Sequence, residues 1–380
     1  MKFTRTSPTS FLRHAAEVSS FYGFRPMREI ERIAVGKIDR VRGMHSFETA
    51  MHASTAALGV RPGEPMLAFY ASPTPVYAPE TFGRDCGEFG LTLAGSPESV
   101  GEIVLLKTIA AIMTEWGSRV ARVRVNALGD KESQQRFARE LSIYLRKHAA
   151  SLDDTCREHS ARNPVDAYRC ANAACREILA DGPRAVNFLS EKSRVHLREV
   201  LEHLEKLSLP YELDDLLVSS MPEPRLMFAI DLAEEDATIL SAHGGRYDEY
   251  VRRLTGKKEG FAVGASVFFR KKGAARAHFV YPASTRAPKV FFVQLGTRAK
   301  LQGLAVLDVL RAARIPVSQS FDATHLSPQL QSAKQLGVSH LLIMGHREAL
   351  DGTVIIRSTD NSSQIIVELA HLHRFLKALR

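Results

Sequence analysis

The 380-residue sequence predicts an α+β fold: a mainly antiparallel sheet with helices, a helical insertion within it, and a smaller α/β domain after it. Three observations carry this. Residues 66–96 alternate apolar with small residues, as antiparallel strands do. Residues of about 126–210 switch to a helical period, with Leu197, Val200, Leu201, Leu204 and Leu207 on one stripe. A polar run rich in Gly, Ala and Pro, from Arg270 to Pro288, then gives way to alternating strand-like and helix-like segments. The two parts are placed at residues 1–285 and 288–380.

Taken in order, Phe11, Leu12, Ala15, Val18 and Phe21 give a first helix, broken at Tyr22-Gly23-Phe24. Residues 100–117 form a helix with Ile103, Leu106, Ile109, Ala110 and Met113 on one face. In the last part, Val290–Leu295, Val317–Phe321, Leu341–Met344 and Val354–Arg357 are strands. Leu301–Arg311, Leu326–Leu336 and Ile365–Leu379 are helices, completing a compact α/β layer domain.

Composition excludes several classes. No apolar run approaches the ~18–20 residues a membrane span needs, so a cytoplasmic protein is expected. Cys86, Cys156, Cys170 and Cys175 are too few for a disulfide framework. Cys170 and Cys175 lack a second Cys/His pair at ligand spacing, so they read as plain buried thiols and no metal is expected. The net charge is +9, and residues 288–380 hold eleven Lys/Arg against six Asp/Glu. Such an excess suits a polyanion or a solvated basic face.

Specific motifs narrow the reading. His243-Gly244-Gly245-Arg246-Tyr247-Asp248 resembles the Gly-Gly-Arg-Tyr-Asp signature of histidyl-tRNA synthetases, a class II aminoacyl-tRNA synthetase family. Asn126-Ala127-Leu128-Gly129-Asp130-Lys131-Glu132 resembles the segment that opens the family's bacterial insertion domain. Cys156, Asn163–Asp166, Leu189–Ser193 and His196 continue that likeness. Leu310–Ile315, Gln331–Gly337 and Ile343–Glu348 resemble its anticodon-binding domain, and Tyr22-Gly23-Phe24 its dimer-forming motif 1. The resemblance implies a class II synthetase core with a helical insertion, an anticodon-binding-type domain, tRNA as partner, and a homodimer.

The chain departs from the family where charge matters. Val218-Ser219-Ser220-Met221-Pro222-Glu223-Pro224 stands where the family has Val-Arg-Gly-Leu-Asp-Tyr-Tyr, so Ser219 replaces a catalytic arginine and Glu223 and Pro224 replace two recognition tyrosines. Pro75 or Val76 takes the motif 2 arginine position and Val267 that of motif 3. Arginine stabilises a phosphate-centred transition state with fixed charge, and losing one such donor costs ~2.7–4 kcal/mol. No catalytic residue is therefore assigned.

A residual substrate pocket is implied at Glu48, Arg84, Glu88, Gly244, Gly245, Arg246, Tyr247 and Asp248, with Glu88 in place of a histidine-contacting glutamine and Thr92 in place of the next glutamate. Arg246 has two readings: it pairs with a substrate carboxylate, or its loop braces the central sheet. Lys334 and Arg347 are the candidate RNA-binding residues. The leading function is a synthetase-like protein without normal aminoacylation, acting as a tRNA- or RNA-binding or regulatory paralogue and needing no cofactor. Alternatives are a divergent histidine–tRNA ligase using ATP and Mg²⁺, and a regulatory subunit for an ATP phosphoribosyltransferase.

Overall fold

A computed structural model describes residues 8–26, 66–72, 86–218, 224–236, 238–255, 260–270, 288–319 and 325–377. Helix α1 (Pro8–Phe21) leads into the short strand β1 (Arg25–Pro26). Strands β2 (Met66–Ser72) and β3 (Cys86–Ala94) precede helix α2 (Val100–Trp116) and strand β4 (Val120–Ala127). The insertion follows: α3 (Lys131–Lys147), α4 (Asp154–Arg162), α5 (Ala173–Ala180) and α6 (Glu191–Lys206). Then come β5 (Tyr211–Leu213), β6 (Leu226–Leu232), β7 (Ile239–Arg246), α7 (Asp248–Thr255) and β8 (Ala262–Arg270).

These strands make one eight-stranded sheet, in the order β1-β2-β3-β8-β7-β6-β4-β5. Pairing is antiparallel from β2 through to β4, and parallel only at the β1 and β5 edges. One sheet face carries Phe69, Phe89, Leu91, Leu93, Phe228, Val263, Ala265, Val267 and Phe269 into the main apolar core. Helix α2 fills that core. Its residues are apolar almost all round because the sheet covers one side while α1 and the C-terminal part cover the other. The left-handed Gly117 (φ 98°) ends it, its N–H donating back to Thr114.

The insertion has its own core of Leu128, Phe137, Leu141, Leu145, Leu152, Cys156, Val165, Ala167, Cys175, Leu179 and Ala185. Two helix starts are tied together here. Asp130 caps α3 through Ser133 N at 3.0 Å and accepts from Ser190 Oγ at 2.5 Å; Ser190 in turn caps α6. Burial pushes the Asp130 carboxyl up, but the hydrogen bonds from Ser190 and Ser133 win and hold it at about 2. The similarity of Leu128–Glu132 and Leu189–Ser193 to a known insertion therefore has a local physical cause.

The remaining strands, β9 (Val290–Gln294), β10 (Val317–Gln319), β11 (His340–Met344), β12 (Thr353–Ser358) and β13 (Gln364–Glu368), form a five-stranded mixed sheet, in the order β10-β9-β11-β12-β13. It carries α8 (Thr297–Ala312), α9 (Leu326–Leu336), α10 (His346–Asp351) and α11 (Leu372–Lys377). The expected helix over Ile365–Leu379 is corrected. Residues 364–368 instead pair antiparallel with β12 (Val354 with Val367, Ile355 with Ile366), and only 372–377 are α-helical. Ile365-Ile366-Val367 is a β-branched run whose stiff side chains favour a strand wherever a partner edge is open.

Candidate functional site

The signature His243–Asp248 is the end of a strand rather than a loop: β7 runs to Arg246. Its glycines serve strand packing. A Cβ on Gly244 would come within 2.3 Å of Gly264 O, and one on Gly245 within 2.4 Å of Leu226 O. Arg246 is fully buried. Its Nε and Nη2 donate to the two carboxylate oxygens of Glu102 at 2.6 Å each, a bidentate pair. Nη1 donates to Asp248 Oδ1 at 3.3 Å and to Ser96 O at 3.1 Å, and Nη2 also reaches Glu98 O at 2.7 Å. His196 Nε2 donates to Glu102 Oε1 at 2.7 Å, bringing the insertion into the same network.

Burial alone would raise the Glu102 carboxyl, but Arg246 and His196 hold it well below the usual carboxylate range. Burial likewise works against the Arg246 cation, and Glu102 and Asp248 more than offset it, so its pKa is raised. The guanidinium is thus spent on strand β7, helix α2 and the 96–98 turn. Of its two readings, the geometry supports the brace.

On the sheet face opposite the core, Glu88, Tyr70 and Ser266 converge, all buried. Tyr70 Oη and Ser266 Oγ each donate to Glu88 Oε1 at 2.6 Å. The Tyr70 ring lies across Gly90, where a Cβ would sit 2.1 Å from it. Thr92 continues this face, fully buried. The chain's own side chains therefore occupy the middle of the face and place a carboxylate there.

Lys334 and Arg347 are both exposed, on α9 and α10. Arg347 reaches Asp351 at 3.5 Å, a solvent-exposed pair of the kind worth ~0–1 kcal/mol. The C-terminal sheet is bound to the core through α8. Lys300 Nζ, 1% exposed, meets Glu98 Oε2 at 2.8 Å, and Tyr22 Oη donates to Asp308 Oδ1 at 2.5 Å. Lys107 pairs with the other Asp308 oxygen at 2.8 Å.

Residues 289–379 match the family model described as the anticodon binding domain. The histidine–tRNA ligase of Chlorobium phaeobacteroides (strain BS1) is 27% identical over 299 residues, spanning 76% of this chain and 67% of that one. That of Caldicellulosiruptor bescii is 24% identical over 298 residues, spanning 77% and 70%. The crystal structure of apo Staphylococcus aureus histidyl-tRNA synthetase superposes with a TM-score of 0.51 at 18% identity, covering 99% of this chain and 100% of that one, a likeness of fold. The chain is similar to histidyl-tRNA synthetases over about three quarters of its length.

Within that family frame, the expected pocket is only partly in view. Glu48, Pro75, Val76, Arg84, Ser219 and Glu223 lie outside the described residues. Glu88 lies on β3 and Gly244, Gly245 and Arg246 on β7, with β8 between them, while Tyr247 and Asp248 lead into α7; Arg246 and Asp248 face each other and Glu88 is engaged separately. Val267 requires a correction. It pairs with Phe89 and Ala242 and points into the apolar core. A guanidinium there would be buried in hydrocarbon, so this position says nothing about a phosphate clamp; the basic residue of the strand is Arg270, at its exposed end.

Sequence reasoning missed two clusters. The Glu102–His196–Arg246 network joins residues 94 and 144 positions apart, so no local pattern exposes it. The thiols of Cys156, Cys170 and Cys175 lie within 4.8 Å of one another. Cys156 and Cys175 are buried and Cys170 is half-buried. Burial and the neighbouring Cys170 push the Cys156 thiol up to about 12.

Proposed function

We propose that this histidyl-tRNA synthetase-like protein binds tRNA or a tRNA-like RNA through residues 288–380 without carrying out normal aminoacylation. The observation that carries the reading is the buried Tyr70–Glu88–Ser266 cluster. By the family resemblance this sheet face receives histidine and ATP; here it holds a fixed carboxylate and an aromatic ring. A carboxyl group already engaged by two hydroxyls, with the Tyr70 ring beside it, offers neither a cation nor open space to a triphosphate or a substrate carboxylate. Ser219 and Pro75 or Val76, which supply no charge in place of two arginines, act in the same direction.

Arg246 does not compensate, since its guanidinium is bound to Glu102 and Asp248. The RNA half of the proposal rests on the anticodon-binding-type segment, its net charge of +5 (eleven basic against six acidic residues), and the exposure of Lys334 and Arg347. A homodimer and a cytoplasmic location belong to the same proposal; among the described residues no helix is long and apolar enough to cross a membrane. Histidine-dependent ATP–pyrophosphate exchange tests the catalytic half, and filter binding of total tRNA over a salt series tests the other. Robust exchange would establish the divergent-ligase alternative, with ATP and Mg²⁺ as its cofactors. Absence of binding at low salt would remove the RNA role.

A further inference from the structure

The sequence offers one pair at metal-ligand spacing, Cys170-x4-Cys175. The fold supplies a second from an unexpected residue type: Asp153-x2-Cys156. Asp153 is the N-cap of α4, with Oδ1 accepting from Thr155 N at 2.7 Å and Cys156 N at 3.2 Å. That duty orients the carboxylate, and its other oxygen, Oδ2, accepts from Cys170 Sγ at 3.5 Å. The Asp153 N–H meets Cys175 Sγ at 3.4 Å. Three thiols therefore lie within 4.8 Å of one another, held by the starts of two helices and the turn between them, and the Asp153 carboxylate stands beside one of them, Cys170.

We infer that Cys156, Cys170 and Cys175 bind a thiophilic divalent cation of the zinc type, as a structural site of the helical insertion, with the Asp153 carboxylate beside Cys170 closing on the ion as the fourth donor. Four donors of this kind match the closed tetrahedral preference of Zn²⁺, and sulfur selects against magnesium and calcium. Zn–S bonds of ≈ 2.3 Å in a tetrahedron put sulfurs about 3.8 Å apart. The present spread, within 4.8 Å, needs a contraction of at most about 1 Å.

The position in the fold agrees. Cys156 and Cys175 belong to the insertion's own small core, whereas Cys170 is only half-buried and leaves a way in. Cys156 and Cys175 each sit in the first turn of a helix, which fixes their positions relative to one another. Binding is balanced by release of one proton from each thiol, with the Asp153 carboxylate already ionised. A disulfide would use only two of the three sulfurs, bring them to about 2.05 Å and leave the third unpaired. The metal uses all of them.

The test uses the full-length protein, purified under reducing conditions and loaded with Zn²⁺ or Co²⁺ alone. The expected results are about one zinc per chain by elemental analysis, and with cobalt a thiolate-to-metal charge-transfer band with the intensity of three Co–S bonds. Cys170→Ser should weaken metal binding by more than about tenfold. Should that variant fail to fold, Asp153→Asn keeps a capping side chain and removes the charged ligand. It should retain its far-ultraviolet dichroism while binding zinc about tenfold more weakly. Folded wild-type protein that takes up neither ion overturns the assignment. So does a disulfide between two of these cysteines in protein isolated without reductant, and so does an unchanged affinity in Asp153→Asn.

Discussion

Replacing Glu102 by glutamine separates the brace from the substrate pocket as roles for Arg246. The substitution keeps the shape of the side chain and removes its charge. Two bonds of 2.6 Å from Arg246 and one of 2.7 Å from His196 converge on this carboxylate, and both Arg246 and Glu102 are 0% exposed. Charges about 4 Å apart at an effective dielectric of about 20 interact by roughly 4 kcal/mol. Breaking a buried pair from one side typically costs ~3–5 kcal/mol, because the partner stays buried and uncompensated. Asp248 and the carbonyls of Ser96 and Glu98 remain around the guanidinium, so the expected loss is near the lower end, about 3 kcal/mol.

Urea unfolding followed by dichroism measures this loss. The double variant Glu102→Leu/Arg246→Met should lose less than the sum of its singles, since no charge is left buried. The pH dependence has a fixed sign. Glu102 is depressed in the folded state, so its contribution is complete above the usual carboxylate range and is lost as pH falls through the folded value. The gap between wild type and Glu102→Gln should therefore be constant near neutrality and close in strong acid. A loss below about 1 kcal/mol would refute the brace. So would a Glu102→Gln protein of unchanged stability that has gained affinity for histidine.

Further outcomes follow from the same structure. Ser219→Arg alone should not restore ATP–pyrophosphate exchange, because groups that act as a unit are strongly non-additive; appearance of exchange in the single variant would count against the proposed inactivity. Lys334→Glu and Arg347→Glu should weaken tRNA retention on filters and flatten its salt dependence, while the thermal midpoint stays put because both side chains are exposed. Glu98→Gln should destabilise the protein by about 3 kcal/mol, since it leaves the Lys300 ammonium buried without its partner carboxylate; equal urea midpoints would show the junction to be weaker than it looks. Gly244→Ala should cost about 1–3 kcal/mol or more, because the new Cβ meets backbone on β8, and full expression with unchanged stability would contradict the close strand approach.

Local pattern exposed much of this molecule. The period of 3.6 over the insertion and the alternation in 66–96 are properties of neighbouring residues, and the structure follows them. Failures occurred where a distant partner decides. Residues 364–368 become a strand because β12 offers an edge, which the apolar run Ile365–Val367 cannot announce. Val267 stands at the motif 3 arginine position by resemblance, yet strand parity turns it into the core. Cys156 joins Cys170 and Cys175 through a turn that folds the chain back, so spacing along the sequence hides a cluster that is tight in space.

The Arg246 network changes what an intact motif can mean. Gly244 and Gly245 allow β6, β7 and β8 to approach, Arg246 ties β7 to α2, and Asp248 Oδ1 accepts from both Arg246 Nη1 and Ala262 N. Every residue of the signature whose bonding is described thus acts on the sheet itself. A chain that abandoned adenylate chemistry while still needing this sheet would gain nothing by altering them, and an alteration would leave a charge buried in the core. The glycines and Arg246 report that the fold is required, for whatever purpose. Evidence about the reaction lies instead with groups outside that brace, and Glu88, held by Tyr70 and Ser266 on the face of the sheet opposite the core, stands by the family resemblance where a glutamine is expected. Glu88→Gln is therefore the informative change at this site. It should leave both hydrogen bonds with an acceptor, alter stability little, and restore histidine binding only if the carboxylate itself is what excludes it. Calorimetric titration with histidine reads that difference directly, and an absence of binding would show that the Glu88 carboxyl is not what excludes it.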